Sequence, residues 1–183
     1  MQKFTIHTIE TAPEGSKQTL QGLKQNFGFI PNAAATMAGS PSLINAFVSS
    51  FGSFQSGTLS EQEKNVVLLT NAVTLKCAWT TAFHSTITLK TGVTKEAVDA
   101  IRSGKPPADQ KLAALSNLAK ALIERKGHSA EGDVTRFLAA GYTQTQVLEV
   151  IAGIAVSTMA ATTASLADTP VEDLFKAQVW KVA

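Results

Sequence analysis

Beyond residue 15, apolar residues recur at helical spacing in nearly every segment, while sustained period-two alternation is almost absent. That pattern predicts an all-α fold. Residues 16 to 26 set Leu20 and Leu23 on one face, Gly28 closes that helix, Pro31 marks a turn, and a second helix follows Asn32. Ser40-Pro41 is a start signal for a helix with the stripe Leu43, Phe47, Phe51 and Phe54. Ser60 with Glu63 reads as a capping box before the apolar run VVLLTNAV, whose helix should be mostly buried. β-branched Val73 and Thr74 suggest a break that leaves Cys77 in the first turn of the next helix.

That helix carries CAWTTAFH and ends at Gly92, and Thr94 opens a short one that stops at Gly104 before Pro106-Pro107. Residues 108 to 126 turn Leu112, Leu115, Leu118, Ala119 and Leu122 inward. After the turn KGHSAEG, a helix over 131 to 140 stops at Gly141. Thr143 and Gln146 then form a second capping box, heading the very apolar VLEVIAGIAVSTMAATTASLA, a core or subunit-contact element. Pro170 leads into a last short helix over VEDLFKAQVW. The segments LSEQEKNVVLL and YTQTQVLEVIAGIA share a cap followed by a long apolar helix, with no fixed-period repeat beyond that. The expected organisation is an arm over residues 1–14 and one domain of about eight to nine helices over 15–183.

Length and charge narrow the function. A chain of 183 residues suffices for one well-buried core. Sixteen Lys and Arg against fourteen Asp and Glu, scattered singly or in pairs, give no basic track for a nucleic acid. No apolar run has the length of a signal peptide or a membrane span. The single cysteine excludes an intrachain disulfide and a cysteine-based zinc cluster and suits a reducing compartment, so the expected location is cytoplasmic. No His, Asp or Glu pair has metal-ligand spacing, so no metal or cofactor is expected. His7 in the arm and His128 in a polar turn read as surface residues.

The chemistry concentrates in CAWTTAFH. On a helix, Cys77 and His84 fall on one face with Thr80 between them, and Trp79, Phe83 and Ile87 form the adjacent stripe. An imidazolium or a helix N-terminus near a thiol raises its thiolate fraction. Against that, a lone cysteine among Trp, Phe and Ile also reads as a small buried hydrophobe, and a lone histidine as structural. Both alternatives stand at this point.

The run NFGFIPNAAATMAGSPSLINAFVSSFGSF, then LSEQEKNVVLLTNAVTLKCAWTTAFH, then LAALSNLAKALIERKG and FLAAGYTQTQVLEVIAG, resembles the peroxidase-related branch of the carboxymuconolactone decarboxylase and AhpD-like alkylhydroperoxidase superfamily over roughly residues 10 to 180. The resemblance implies an AhpD-like helical fold, assembly as dimers or hexamers, and a lineage of hydroperoxide reduction. Active AhpD-like members carry a glutamate, a CxxC pair and a histidine. On that pattern the first cysteine corresponds to Cys77 and the histidine to His84, but Thr80 stands at the second cysteine, Asn65 at the glutamate and Trp79 between the cysteines. Glu61 and Glu63 are out of register. Near the C-terminus this chain reads ATTAS at 161 to 165, where relatives often carry Asn and His.

A threonine hydroxyl is not redox-active, and an asparagine cannot accept a proton as a general base, so the two-thiol cycle is closed. Three functions follow. The first is an AhpD-like peroxidase-related protein with a degenerate site at Cys77 and His84, reacting through one thiol or not at all. The second is a non-catalytic binding or assembly protein that keeps an apolar pocket near Trp79. The third is a lyase or isomerase acting through His84 on a small organic acid. The expected partners are further copies of the chain and a small hydroperoxide or organic acid, with no nucleic acid or membrane.

Overall fold

In the computed structural model, which describes residues 4–128 and 131–181, the chain is all-helical and contains no strand among those residues. Among the described residues, nine α-helices run in the order α1 (Glu14–Phe27), α2 (Asn32–Met37), α3 (Pro41–Gln55), α4 (Glu61–Thr74), α5 (Ala78–Lys90), α6 (Lys95–Arg102), α7 (Gln110–Glu124), α8 (Glu131–Ala139) and α9 (Gln144–Leu166). The expected last helix is a 3-10 segment over Asp173–Gln178, a tight form used in short pieces. The turn KGHSAEG lies partly outside the described residues.

The start signals act through their side chains. Ser60 and Thr143 form complete capping boxes with Glu63 and Gln146, and Ser40, Thr94 and Asp109 each accept the amide three residues on. α4 is the axis of the fold: residues 63 to 72 are all buried, and the helix packs against α5, α7 and α9. Leu69, Leu115, Leu118, Phe137 and Val150 are fully enclosed around it, each worth about 1.5–3 kcal/mol of apolar burial.

Lys64 reaches out of the core so that Nζ donates to the carbonyls of Gln55 (2.6 Å) and Gly57 (2.9 Å). Glu149 of α9 takes the amides of Thr58 and Leu59, so the α3–α4 loop is held from both sides. α9 crosses close to α3 at Gly153, where a Cβ would sit 2.8 Å from the Phe54 ring. By length and composition α9 could cross a membrane, but it packs against α2, α3, α4, α5 and α7. One face is buried through Val150, Val156 and Ala160, whereas Leu148, Ile151 and Leu166 are exposed.

The first and last described segments pack back on the bundle. His7 is half-buried rather than a free surface residue: its backbone amide donates to the Ala35 carbonyl and Nδ1 pairs with the Thr11 carbonyl at 3.0 Å. At the other end, Arg102 holds the carbonyls of Gln178 and Val179, and Phe175 is buried against Phe83 and Phe29. The C-terminal segment thereby forms the back of the site.

Candidate functional site

The α4–α5 junction decides where the cysteine goes. Lys76 adopts φ 54°, Cys77 N–H donates to Ala72 O (3.1 Å) and Lys76 N–H to Val73 O (3.0 Å), the two bonds of a Schellman stop. The expected break is present, made by lysine in a conformation that favours glycine. Cys77 then serves as the N-cap of α5 with no side-chain capping bond. Its thiol is 1% exposed and packed among Ala33, Trp79, Ala161 and Ala164.

Two helical turns, about 10 Å of rise, separate Cys77 from His84, and no hydrogen bond joins them. Thr80, one turn before His84, is fully buried, and its hydroxyl donates back to the Cys77 carbonyl at 3.4 Å. The helix therefore places the three on adjoining turns without building a thiol–imidazole pair.

A cavity of about 470 Å³ opens beside α5. Trp79, Phe83, His84 and Ile87 form one wall and Asn65, Leu68 and Glu61 of α4 another, with Phe47 and Phe51 of α3 opposite; neither Cys77 nor Thr80 lines it. A larger depression, about 760 Å³, lies between the N-terminal arm and α9, away from these residues. Among the described residues its only titratable lining group is His7.

The aromatic wall is rigid by construction. Trp79 and Phe83 stack with centroids 5.2 Å apart, and Phe83 meets His84 edge-on at 5.1 Å. Trp79 Nε1–H donates to Glu172 Oε2 (2.8 Å), while Glu172 Oε1 accepts the Asn32 amide (2.7 Å) at the start of α2. Phe175 presses edge-on against Phe83 at 4.9 Å from behind.

His84 is 7% exposed and has no hydrogen-bond partner at Nδ1. Burial lowers its pKa to about 4, so it is a neutral imidazole at pH 7. A bare ring nitrogen is less costly to leave unpartnered than an N–H, which favours the tautomer protonated at Nε2. A neutral imidazole offers hydrogen bonds but no cation to draw a thiolate toward it. Asn65 Nδ2 donates to the Glu61 carbonyl at 2.9 Å, one turn back.

Of the five residues singled out from the sequence, the cavity gathers Asn65, Trp79 and His84 and leaves Cys77 and Thr80 buried outside its lining. Glu61 also joins the wall. Its i,i+4 spacing to Asn65, which sets both on one face of α4, is the signal the sequence carries for it. Glu172 and Phe175 come from a segment more than 85 residues away in sequence and had no local signal.

Residues 41–108 match the model of the carboxymuconolactone decarboxylase family. This segment, α3 through α6, is similar to that family. The whole chain also superimposes on solved structures of the same scaffold. An AhpD-core, peroxidase-related protein from Ralstonia eutropha JMP134 aligns with TM-score 0.83 at 17% identity, covering 94% of this chain and 93% of that one. A peroxidase-related protein from Silicibacter sp. TM1040 gives 0.80 at 13%, covering 96% and 95%. The debrominase Bmp8, a cysteine-to-alanine variant in complex with 2,3,4-tribromopyrrole, gives 0.80 at 20%, covering 97% and 96%. No curated protein sequence matches the chain. At such identities the superpositions establish a shared fold.

Proposed function

We propose that this carboxymuconolactone decarboxylase-type chain is a small-molecule binding protein whose working surface is the cavity at His84, and that it does not run a dithiol peroxidase cycle. The observation that carries this reading is the different setting of Cys77 and His84: the sole thiol is buried and does not line the cavity, while a neutral histidine with no hydrogen-bond partner and a stacked Trp79–Phe83 pair face a cavity of about 470 Å³. The debrominase structure, which holds the flat ring 2,3,4-tribromopyrrole on the same scaffold, supports a small apolar-bodied ligand. In this cavity such a ring would lie on the aromatic wall and its polar end would meet His84 and Asn65.

Gly52 provides the test. It lines the cavity, and a Cβ built there meets nothing within 4 Å, so Gly52→Phe adds bulk without a clash at its base. Calorimetric titration with 3-phenylpropan-1-ol should show saturable binding that weakens at least about tenfold in the variant, roughly the 1.4 kcal/mol that separates decades of affinity. Equal affinity would overturn the reading.

A second reading, single-thiol peroxide reduction, is favoured by the position of Cys77 at the N-terminus of α5 and by the peroxidase-related structures. In it, the thiolate attacks one peroxide oxygen, the O–O bond breaks, the alcohol leaves with a proton, and two equivalents of an external thiol reduce the sulfenic acid, releasing water. Hydroperoxide turnover with such a reductant that vanishes in Cys77→Ser would support it. Self-association through the exposed Leu148, Ile151 and Leu166 face of α9 is part of the same proposal, and light scattering tests it.

A further inference from the structure

Building on the cavity reading, the polar groups around that space define what it accepts. Among the described residues, Glu61 and His84 are the only titratable ones that line it, and no lysine or arginine does. Lys64, on the same helix as Glu61, is committed to the Gln55 and Gly57 carbonyls. The two N–H donors of the Trp79 wall, the indole Nε1 and the Asn32 amide, are already taken by the protein's own carboxylate, Glu172. Asn65 donates one Nδ2–H to the Glu61 carbonyl, which leaves its second N–H and the acceptor Oδ1. Glu61 itself is exposed, with no ion-pair partner among the described residues.

An anionic ligand would therefore bring an unneutralised charge into an apolar space beside a second carboxylate, with only neutral N–H donors of Asn65 and His84 for its oxygens. Leaving a charge so placed is costly. A hydroxyl or an ammonium suits the same groups: it donates to Glu61 or to Asn65 Oδ1 while the apolar body lies on Trp79 and Phe83.

We infer that the cavity selects neutral or ammonium-bearing molecules with an apolar body, discriminates against carboxylates, and that Glu61 sets this preference. The inference runs against the organic-acid substrate expected from the sequence.

The test uses three ligands with one body: 3-phenylpropan-1-amine, 3-phenylpropan-1-ol and 3-phenylpropanoate, titrated calorimetrically into the full chain at pH 7.5 and low salt. The amine should bind most tightly. The carboxylate should bind at least about tenfold more weakly than the alcohol, the order of penalty for an unpaired charge in a mostly apolar site. Glu61→Gln should lower the amine-to-alcohol affinity ratio about fivefold, the upper end for a partly exposed ion pair. Glu61→Lys should raise carboxylate affinity. Carboxylate binding as tight as alcohol binding, or an unchanged ratio in Glu61→Gln, overturns the inference and leaves the cavity reading intact. Failure of all three ligands to bind the parent protein overturns the cavity reading itself, and this inference with it.

Discussion

Trp79 and Glu172, 93 residues apart, are joined by an indole N–H to carboxylate hydrogen bond of 2.8 Å, and this contact makes the C-terminal segment part of the cavity wall. The same carboxylate holds the start of α2. Removing it leaves two N–H groups without their acceptor, one of them on a buried indole. Glu172→Ala should cost about 1–3 kcal/mol of stability and shift Trp79 emission, read in a Trp180→Phe background. Glu172→Gln, which keeps an acceptor oxygen, should recover part of both. Unchanged emission in Glu172→Ala would show that the carboxylate does not fix the indole.

His84 gives a pH signature. Its pKa falls from 6.5 unfolded to about 4 folded, so between those values the unfolded chain binds a proton that the folded chain refuses. Stability attributable to this group is therefore fully present above pH 6.5 and declines as the pH drops toward 4, by about 3 kcal/mol at 1.36 kcal/mol per pKa unit. Denaturant melts of parent and His84→Phe at pH 7 and pH 4.5 should show a flatter pH dependence in the variant. Parallel curves would contradict a buried neutral imidazole.

Lys76 holds a left-handed backbone at a helix stop, a conformation that costs a non-glycine residue about 1–2 kcal/mol. Lys76→Gly should raise thermal stability by up to about 1 kcal/mol once the extra freedom of glycine in the unfolded chain is counted. A loss of stability would mean that the lysine side chain makes a compensating contribution.

Gly153 stands at the opposite extreme. A methyl group there would press on both Phe54 and Val67, at 2.8 and 2.9 Å, between helices already in contact. Gly153→Ala should destabilise by about 1–3 kcal/mol, in the range of core overpacking, although alanine is the better helix former. A stabilised variant would show that α3 and α9 can separate at little cost.

The fold was legible because its instructions are local. Ser60 with Glu63 and Thr143 with Gln146 cap their helices through side chains three residues apart, and Gly28, Gly92, Gly104 and Gly141 all adopt positive φ at the expected stops. The resemblance found in the sequence was likewise sound at the level of family, with the match confined to residues 41–108.

The site was legible only in part. Asn65, Trp79 and His84 could be named from motif positions, but the side of α5 that each residue faces depends on what packs there. The stripe Ala33, Ala161 and Ala164 closes over Cys77, and no pattern within CAWTTAFH records that. Glu172 and Phe175 enter through tertiary contacts with a distant segment, which periodicity cannot foresee.

The central claim is that the cavity at His84, and not the enclosed thiol, is the working surface. Its most direct measurement follows the His84 imidazole nitrogens by NMR while 3-phenylpropan-1-ol is titrated into parent and Cys77→Ser protein. A saturable shift of those resonances with the same dissociation constant in both proteins is the expected result. Absence of any shift at His84, together with hydroperoxide consumption in the parent that Cys77→Ser abolishes, would move the function to the sulfur and contradict it.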